Sequence, residues 1–591
     1  MMKFFSRTIS RRLIWLSVVF VGGFASASIL GANVEGSVDL TLGIDQSAAP
    51  KRDDCTIAGW SRDPANINSS RVDFYMNAPY GQAGAVFVGA VIANLYRGDL
   101  PFGDKNHGYS YAFPRLLPGG GNNPIWDGVN HRIYAYGIKV SSATSTAMLQ
   151  GSGANIKCPT NVLLYGAQGN GIADDSGAID NAIGVSGSNS LIYFPSGVYN
   201  LLTAHGTMGW NYVDIPLAMG LPSTQFLNAL RVVKSYVTLA GQLTGSTKQS
   251  ILKLAPNTKM RILGIGLDDS GKYCSSPIIP SPPPSSGCTS SAISSIPSGS
   301  FGNNSLVRDL VFDGNSSNRT AATWPAGDVV DALVLVDRSS FNQFSNIEIR
   351  NGLEDGLGCW RCRNLRAENS HFHDLGVPTA GAAGITLSVA DNAIVVNNQL
   401  ASNINGIWVH HGSKSVQIIN NTIADNSYLG LALGGSLSPE NSDNTIFTIT
   451  GNTILRNGLI GFQGNKGGAA AISLVTTPGA PIMNAFSGNI LNGNWGGINV
   501  HSSYNWNIQN NLIVGTGAMY QVGVGISGGG TFRVRANSIE NYFEGVRISE
   551  GASDVVFGLD WSEPITNLGG NSISMATVSG QPARWGGLFA R

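Results

Sequence analysis

Charged residues make up only 12% of this 591-residue chain, yet acids, an arginine and histidines gather in one stretch. Asp328, Asp331 and Asp337 come first, then Arg350, Glu354 and Asp355, then His371, His373 and Asp374, and last His410 and His411. Three chemistries fit this mixture. Two carboxyls flanking one bond, one protonated and one ionised, can hydrolyse an acetal, a task for Asp331, Glu354 and Asp355. An arginine, or calcium held by acids, can neutralise a substrate carboxylate while a histidine or arginine removes the α-proton, a task for Arg350 and His373 with His410. The same base with a second acid on the opposite face would epimerise that carbon. Taken singly, each residue also suits a solvated turn.

Whether these residues meet depends on the strands that carry them. Side chains alternate across a strand, so with Ile407 and Val409 inward, Trp408 and His410 face out. The same register puts Asn499 and His501 outside, with Thr386 and Ser388 outside on the rung before His410. Equating Ile349 with Phe372 places Arg350 and His373 at one offset on consecutive rungs, about 4.8 Å apart. Trp408 and Trp360 offer aromatic faces beside polar donors, which suits stacking on a sugar ring; packing of Trp408 under a neighbouring loop is the plainer alternative.

The strands themselves recur. From Ser305 a Gly-Ile or close variant appears at Gly356, Gly384, Gly406, Gly430, Ala471, Gly497, Gly525 and Gly545, and an Asn two residues before an apolar position at Asn398, Asn421, Asn452, Asn489, Asn511 and Asn537. Most intervals run from 22 to 28 residues, and self-similarity at such a period means a solenoid. Each repeat forms a rung of three short strands, with Ile, Leu and Val in the core and inward Asn bonding the turns above and below. Both ladders build the fold and say little about chemistry.

Upstream lie Tyr165-Gly166-Ala167-Gln168-Gly169-Asn170-Gly171, Asp174-Asp175-Ser176, Ala178-Ile179 and Leu191 to Tyr199 (LIYFPSGVY). This run resembles the opening of the pectate-lyase-like superfamily, of the rhamnogalacturonase and epimerase type. The resemblance implies a right-handed parallel β-helix over residues 161–560, opened by a capping helix from about Asp175 to Ile183 that covers an otherwise exposed sheet edge. Asp174 and Asp175 sit at the helix start, where acids are favoured for structural reasons. The paired-Asp strand and His signature expected of a polygalacturonase are missing, as is the Asp-Pro-His-Glu of alginate epimerases. Family catalytic residues are therefore not carried over.

Residues 35–158 alternate apolar and polar positions between Gly, Pro and Asn turns, as in Val72 to Met76 and Arg132 to Gly137, which predicts an antiparallel β-sandwich. The segments Cys55 to Pro64, His107 to Tyr111 and His131 to Gly137 resemble a small sandwich module appended to many bacterial secreted proteins, where it binds carbohydrate or spaces domains. Residues 561–591 are assigned to a C-terminal cap or tail.

Lys3, Arg7, Arg11 and Arg12 precede an apolar run from Leu13 to Phe24, with Ala25 and Ala27 after it. This predicts a signal peptide over residues 1–27 and export to the periplasm or medium, with no membrane association after cleavage; Ser10-Arg11-Arg12 leaves the route open between general and twin-arginine export. Lys plus Arg equals Asp plus Glu at 36 each, so nothing electrostatic points to nucleic acid. Six cysteines in an exported chain predict disulfides. Cys274 and Cys288 flank a Pro/Ser-rich loop, Cys55 and Cys158 bracket the first module, and Cys359 and Cys362 form a CxxC read as a small structural disulfide, no second zinc-ligand pair being present. Asn-rich turns are compatible with calcium, though no loop matches a dedicated calcium motif.

The chain is thus expected to be all-β, a right-handed parallel β-helix preceded by a small β-sandwich, acting on an extracellular, acidic polysaccharide as lyase or hydrolase. Asp331, Arg350, Glu354, Asp355, His373 and His410 are the catalytic candidates; Trp360, Trp408, Asn499 and His501 are the binding candidates. A glycan-binding or adhesive surface protein and a uronate epimerase are the alternatives. Oligomeric state is left open.

Overall fold

The computed structural model describes residues 34–42, 55–66, 68–140, 146–205, 207–208, 226–258, 260–266, 302–319, 332–376, 382–410, 413–434, 441–442, 446–461, 465–472, 475–476, 484–518, 521–542, 544–557, 565–567, 572–575, 584–585 and 588–590. The signal peptide, Asp328, Asp331, His411 and the Cys274–Cys288 pair lie outside the described residues. No helix among the described residues is long and apolar enough to cross a membrane.

The first module consists of two antiparallel sheets. One orders Glu35–Leu42, Thr56–Arg62, Asn106–Ala112 and Leu95–Tyr96; the other orders Val86–Ala93, Ser70–Met76, Asn130–Ile138 and Thr146–Met148, with Ala154–Lys157 also paired to Asn130–Ile138. Alternation does the work: Ile57, Val72, Phe74, Val88, Ile133 and Ala135 are fully buried between them. The Cys55–Cys158 disulfide closes the module across 103 residues. At its lower end the Arg115 guanidinium lies 3.6 Å above the Tyr193 ring, and the Tyr165 hydroxyl donates to the Asp127 carbonyl at 2.7 Å. The module therefore packs directly onto the start of the solenoid.

The cap is the helix Ser176–Ser186, which begins one residue later and runs three further than the sequence suggested. Asp175, nearly fully buried, accepts from the Gln168 and Gly169 amides at 2.6 and 3.2 Å. Asp174 accepts from the Ser176 amide and the Leu202 amide at 3.0 and 3.1 Å. Both acids tie the glycine-rich turn and first rung to the helix.

Below the cap, parallel strands stack in three columns. The first sheet includes Ala332–Asp337, Asp355–Trp360, Ala383–Ser388, Asn405–His410, Leu429–Leu433 and Gly468–Ile472. The second includes Gln343–Ser345, Arg366–Glu368 and Ile394–Val396, and the third Glu348–Gly352, His371–Leu375 and Gln399–Ala401. From Ile498–Gln509 onward single strands run through both the first and second sheets, and pairing continues to Leu588–Ala590. Phe312, Ile349, Phe372, Leu400, Ile423, Ile454 and Leu491 form one inward column of the third sheet, each fully buried.

Turn chemistry locks the register. Between second and third sheets a residue in the left-handed region, such as Asn397, Asn420, Gly451, Gly488 or Asn510, precedes each ladder asparagine. Asn452 shows the pattern: its amide and Nδ2 reach Asn489 Oδ1 at 2.9 Å each, while Nδ2 also reaches the Ile418 carbonyl at 2.8 Å. A second ladder, Asn403, Asn426, Asn457 and Asn494, does the same between third and first sheets. The Gly-Ile marks hold at Gly384, Gly406 and Gly430, where stacked turns leave no room: a Cβ on Gly406 would lie 2.4 Å from Ile423 Cγ2. Two marks read from sequence are off by two residues. Leu431 pairs with Ala470 and Ile498 with Val524, so Ala469-Ala470 and Gly523-Val524 occupy the positions assigned to Ala471-Ile472 and Gly525-Ile526.

Candidate functional site

The proposed constellation divides between two faces. Arg350 and His373 are partners in register on the third sheet, as their offset predicted. There they join a closed charge network: Arg350 contacts Asp313 at 3.1 Å and Glu348 at 2.7 Å, and His373 lies 3.4 Å from Glu348 and 2.7 Å from Asp374. The His371 and His373 rings stack at 4.1 Å. The hydrogen bond from His373 holds the Glu348 carboxyl at about 2, with Arg350 adding to it against burial. Burial works against charge on His373, but its bonds to Glu348 and Asp374 outweigh this and raise it. Arg350 and His373 are each held between two carboxylates.

Asp355, Trp360, Trp408 and His410 lie on the first sheet. Asp355 is buried and accepts from the Ala383 amide of the next rung at 2.7 Å, a rung-to-rung clamp. Glu354, also buried, sits in the turn between third and first sheets. Asp337, Trp360, Ser388 and His410 follow one another in register over four rungs. Trp408 and His410 stack with centroids 4.3 Å apart, and Trp360 meets His410 edge-on at 6.2 Å. Burial raises the Asp337 carboxyl, opposed by Arg338, Arg361 and Arg261. His410 is only 1% exposed, and Trp408 Nε1 donates to the Gly434 carbonyl at 3.2 Å, so a neighbouring turn holds this tryptophan. Cys359 and Cys362 form the disulfide expected of their CxxC.

The open part of the first sheet lies further along. One outward column runs Thr386, Trp408, Ala432, Ala471, Asn499, Gly525 and Arg547. Small residues at Ala471 and Gly525 lower its floor; a Cβ at Gly525 would come within 3.0 Å of Asn499 Oδ1. The result is a groove of about 430 Å³, with Tyr428, Lys466, Trp495, Asn499, Gln521, Ser527 and Arg547 among its lining residues, a size that suits a small ligand or a polymer segment. Lys466 Nζ lies 4.7 Å from the Trp495 ring centroid. Gln521 is 1% exposed, and its Oε1 has no hydrogen-bond partner among the described residues, a cost of about 1–3 kcal/mol unless a ligand or water fills it. Among the described lining residues lysine and arginine are present; Asp and Glu are not. His501, exposed at the edge, has its Nδ1 2.8 Å from Ser527 Oγ.

The sequence reading named Asn499 and His501 and missed Lys466, Trp495, Gln521 and Arg547. Trp495 and Gln521 stand just before strands, where no alternation rule applies; the small residues down the column were the readable signal. No group of three or more His, Cys, Asp or Glu among the described residues is arranged to hold a metal ion.

Residues 332–560 match the family model "Right handed beta helix region", and residues 159–205 match "Rhamnogalacturonase A/epimerase, pectate lyase-like". The solenoid is a right-handed parallel β-helix. No curated protein matches the chain in sequence. Among solved structures, the A-module of an Azotobacter vinelandii mannuronan C-5 epimerase is 18% identical, covering 71% of this chain and 100% of its own, with a TM-score of 0.41. A Streptococcus pneumoniae surface adhesin is 14% identical over 71% and 93% of the chains, TM-score 0.46. A Yersinia enterocolitica family 28 exopolygalacturonase is 11% identical over 94% and 97%, TM-score 0.38. The β-helix here thus has a groove with lysine and arginine in its described lining on one face and an ionic network on another.

Proposed function

We propose that this exported protein binds an acidic polysaccharide in the first-sheet groove and cleaves it by β-elimination. The observation that carries the reading is the lining, with Lys466 and Arg547 as cations, Trp495 as an aromatic wall and no carboxylate among the described lining residues; His501 stands beside it, bonded to the lining residue Ser527. Lys466 and Arg547 neutralise a uronate carboxylate, which acidifies the adjacent C–H. His501 Nε2, its ring oriented through Nδ1 by Ser527, takes the C5 proton. The electron pair forms the C4–C5 double bond, and the glycosidic oxygen leaves C4 with a proton from solvent.

Hydrolysis is less well supported. It needs two carboxyls about 5–10 Å apart, whereas on the first sheet Asp355 and Asp337 lie one rung apart and five residues offset, roughly 16 Å at strand rise, and the closer third-sheet carboxyls Asp313, Glu348 and Asp374 are engaged by Arg350 and His373. A binding-only reading draws on a different observation, namely that Arg350 and His373 are sequestered in ion pairs and His410 and Asp355 are buried.

The test incubates the mature chain with acidic and neutral polysaccharides, following ultraviolet absorbance of unsaturated products, new reducing ends and binding. Unsaturated products from a polyuronate support elimination. Reducing ends without absorbance indicate a hydrolase, and binding without either product an adhesive role; each would overturn the lyase assignment.

A further inference from the structure

Gln521 lines the first-sheet groove and is buried without being satisfied. It stands just ahead of the strand Val522–Arg535, past the end of Leu512–Gly515. Ile498 and Val524 are paired, so Trp495 and Gln521, each three residues earlier, hold the same place on consecutive rungs, about 4.8 Å apart. The side chain is clamped on one side. Nε2 donates to Thr516 Oγ1 at 2.7 Å, while Oε1 has no partner among the described residues although Gln521 is only 1% exposed. Protein interiors rarely leave such an acceptor empty, and an amide fixed through its nitrogen holds its oxygen in a set direction.

We infer that Gln521 is a specificity residue of the groove, reading a free ring hydroxyl on the bound uronate and rejecting O-acylated polymer. The inference rests on the reading of the groove as a polyuronate site. Oε1 can only accept a hydrogen bond. The carboxylate, ring and glycosidic oxygens of a polyuronate are acceptors as well, which leaves the secondary hydroxyls as the donors able to fill it. With the carboxylate drawn to Lys466 and Arg547 and the ring against Trp495, a hydroxyl edge turned to the next rung meets Gln521. Acylation of that oxygen exchanges the O–H for a carbonyl, so acceptor faces acceptor and Oε1 stays buried and unpaired. Sites built to bond a substrate hydroxyl reject analogues that lack it for this reason. Water alone in that position would confer no such preference.

Binding of the full mature chain to polygalacturonate and to polymannuronate is measured by affinity gel electrophoresis, each polymer unmodified and after partial chemical O-acetylation. At least one unmodified polymer is expected to bind, and its O-acetylated form about 5- to 100-fold more weakly, the effect of one buried acceptor left unpaired. Gln521→Met keeps the length of the side chain and removes both polar atoms. It should weaken binding of the unmodified polymer and bring the two forms to within about threefold of each other. The wild-type comparison stands without any variant. Equal binding of both forms by wild type, or an undiminished preference in Gln521→Met, would overturn the inference and leave the groove reading intact. Binding of neither unmodified polymer would overturn both.

Discussion

His501 Nδ1 and Ser527 Oγ face each other at 2.8 Å on adjacent rungs, in register. The contact fixes one ring nitrogen and leaves the other for proton transfer. His501→Ala should lower turnover on a polyuronate by about 10²–10⁴-fold, the usual worth of a positioned base, with binding retained. Ser527→Ala should give a smaller loss in kcat with KM little changed. Equal activity of His501→Ala and wild type in a steady-state assay would remove His501 from the mechanism.

The groove cations set a salt response. Lys466 is exposed and Arg547 partly so, so their attraction for a polyanion is screened over about 10 Å at 0.1 M salt. Affinity for polyuronate should fall as salt rises, and Lys466→Ala/Arg547→Ala should both weaken binding and flatten that dependence in calorimetric titrations. A neutral glucan should show neither effect.

Asn489 is a stability prediction independent of function. It is buried; its Oδ1 accepts from the Asn452 amide at 2.9 Å and its Nδ2 donates to the Ile449 carbonyl at 3.0 Å. Asn489→Ala strands the Asn452 amide and the Ile449 carbonyl on the preceding rung, each costing about 1–3 kcal/mol when buried and unpaired. Denaturant unfolding should show a loss of that order or larger. A loss below about 0.5 kcal/mol would mean that water replaces the ladder at no cost.

The third-sheet network predicts opposite pH limbs. Glu348 is held at about 2, below its unfolded value, so its stabilisation is present above the unfolded carboxyl range and is lost as pH falls toward 2. His373 is raised, so its contribution is complete below its unfolded value of about 6.5 and is lost as pH rises through the folded value. The stability difference between wild type and His373→Ala should therefore be larger at about pH 5 than at about pH 9. Melting temperatures across this range provide the check, and a pH-independent difference would contradict the network.

Much of the fold was legible because solenoids write themselves as period. Gly384, Gly406 and Gly430 mark turns too tight for a Cβ, and Asn398 through Asn537 mark buried amides. The local offset of Arg350 and His373 could likewise be read, since one rung repeats the last. The period misled where side chains imitate the motif: Gly525-Ile526 copies Gly-Ile, yet backbone pairing aligns Gly523-Val524.

The candidate site was less legible. Sequence determined which residues face outward, and Asn499 and His501 followed from alternation alone. Sequence does not say which of three outward faces a residue occupies or what covers it, because burial depends on loops and turns from other rungs. Tertiary structure therefore separated Arg350 and His373 from His410, buried His410 beside Trp408, and brought Lys466, Trp495, Gln521 and Arg547 together from four turns and strands. Alternation is a property of one strand, whereas a groove forms where several strands leave space.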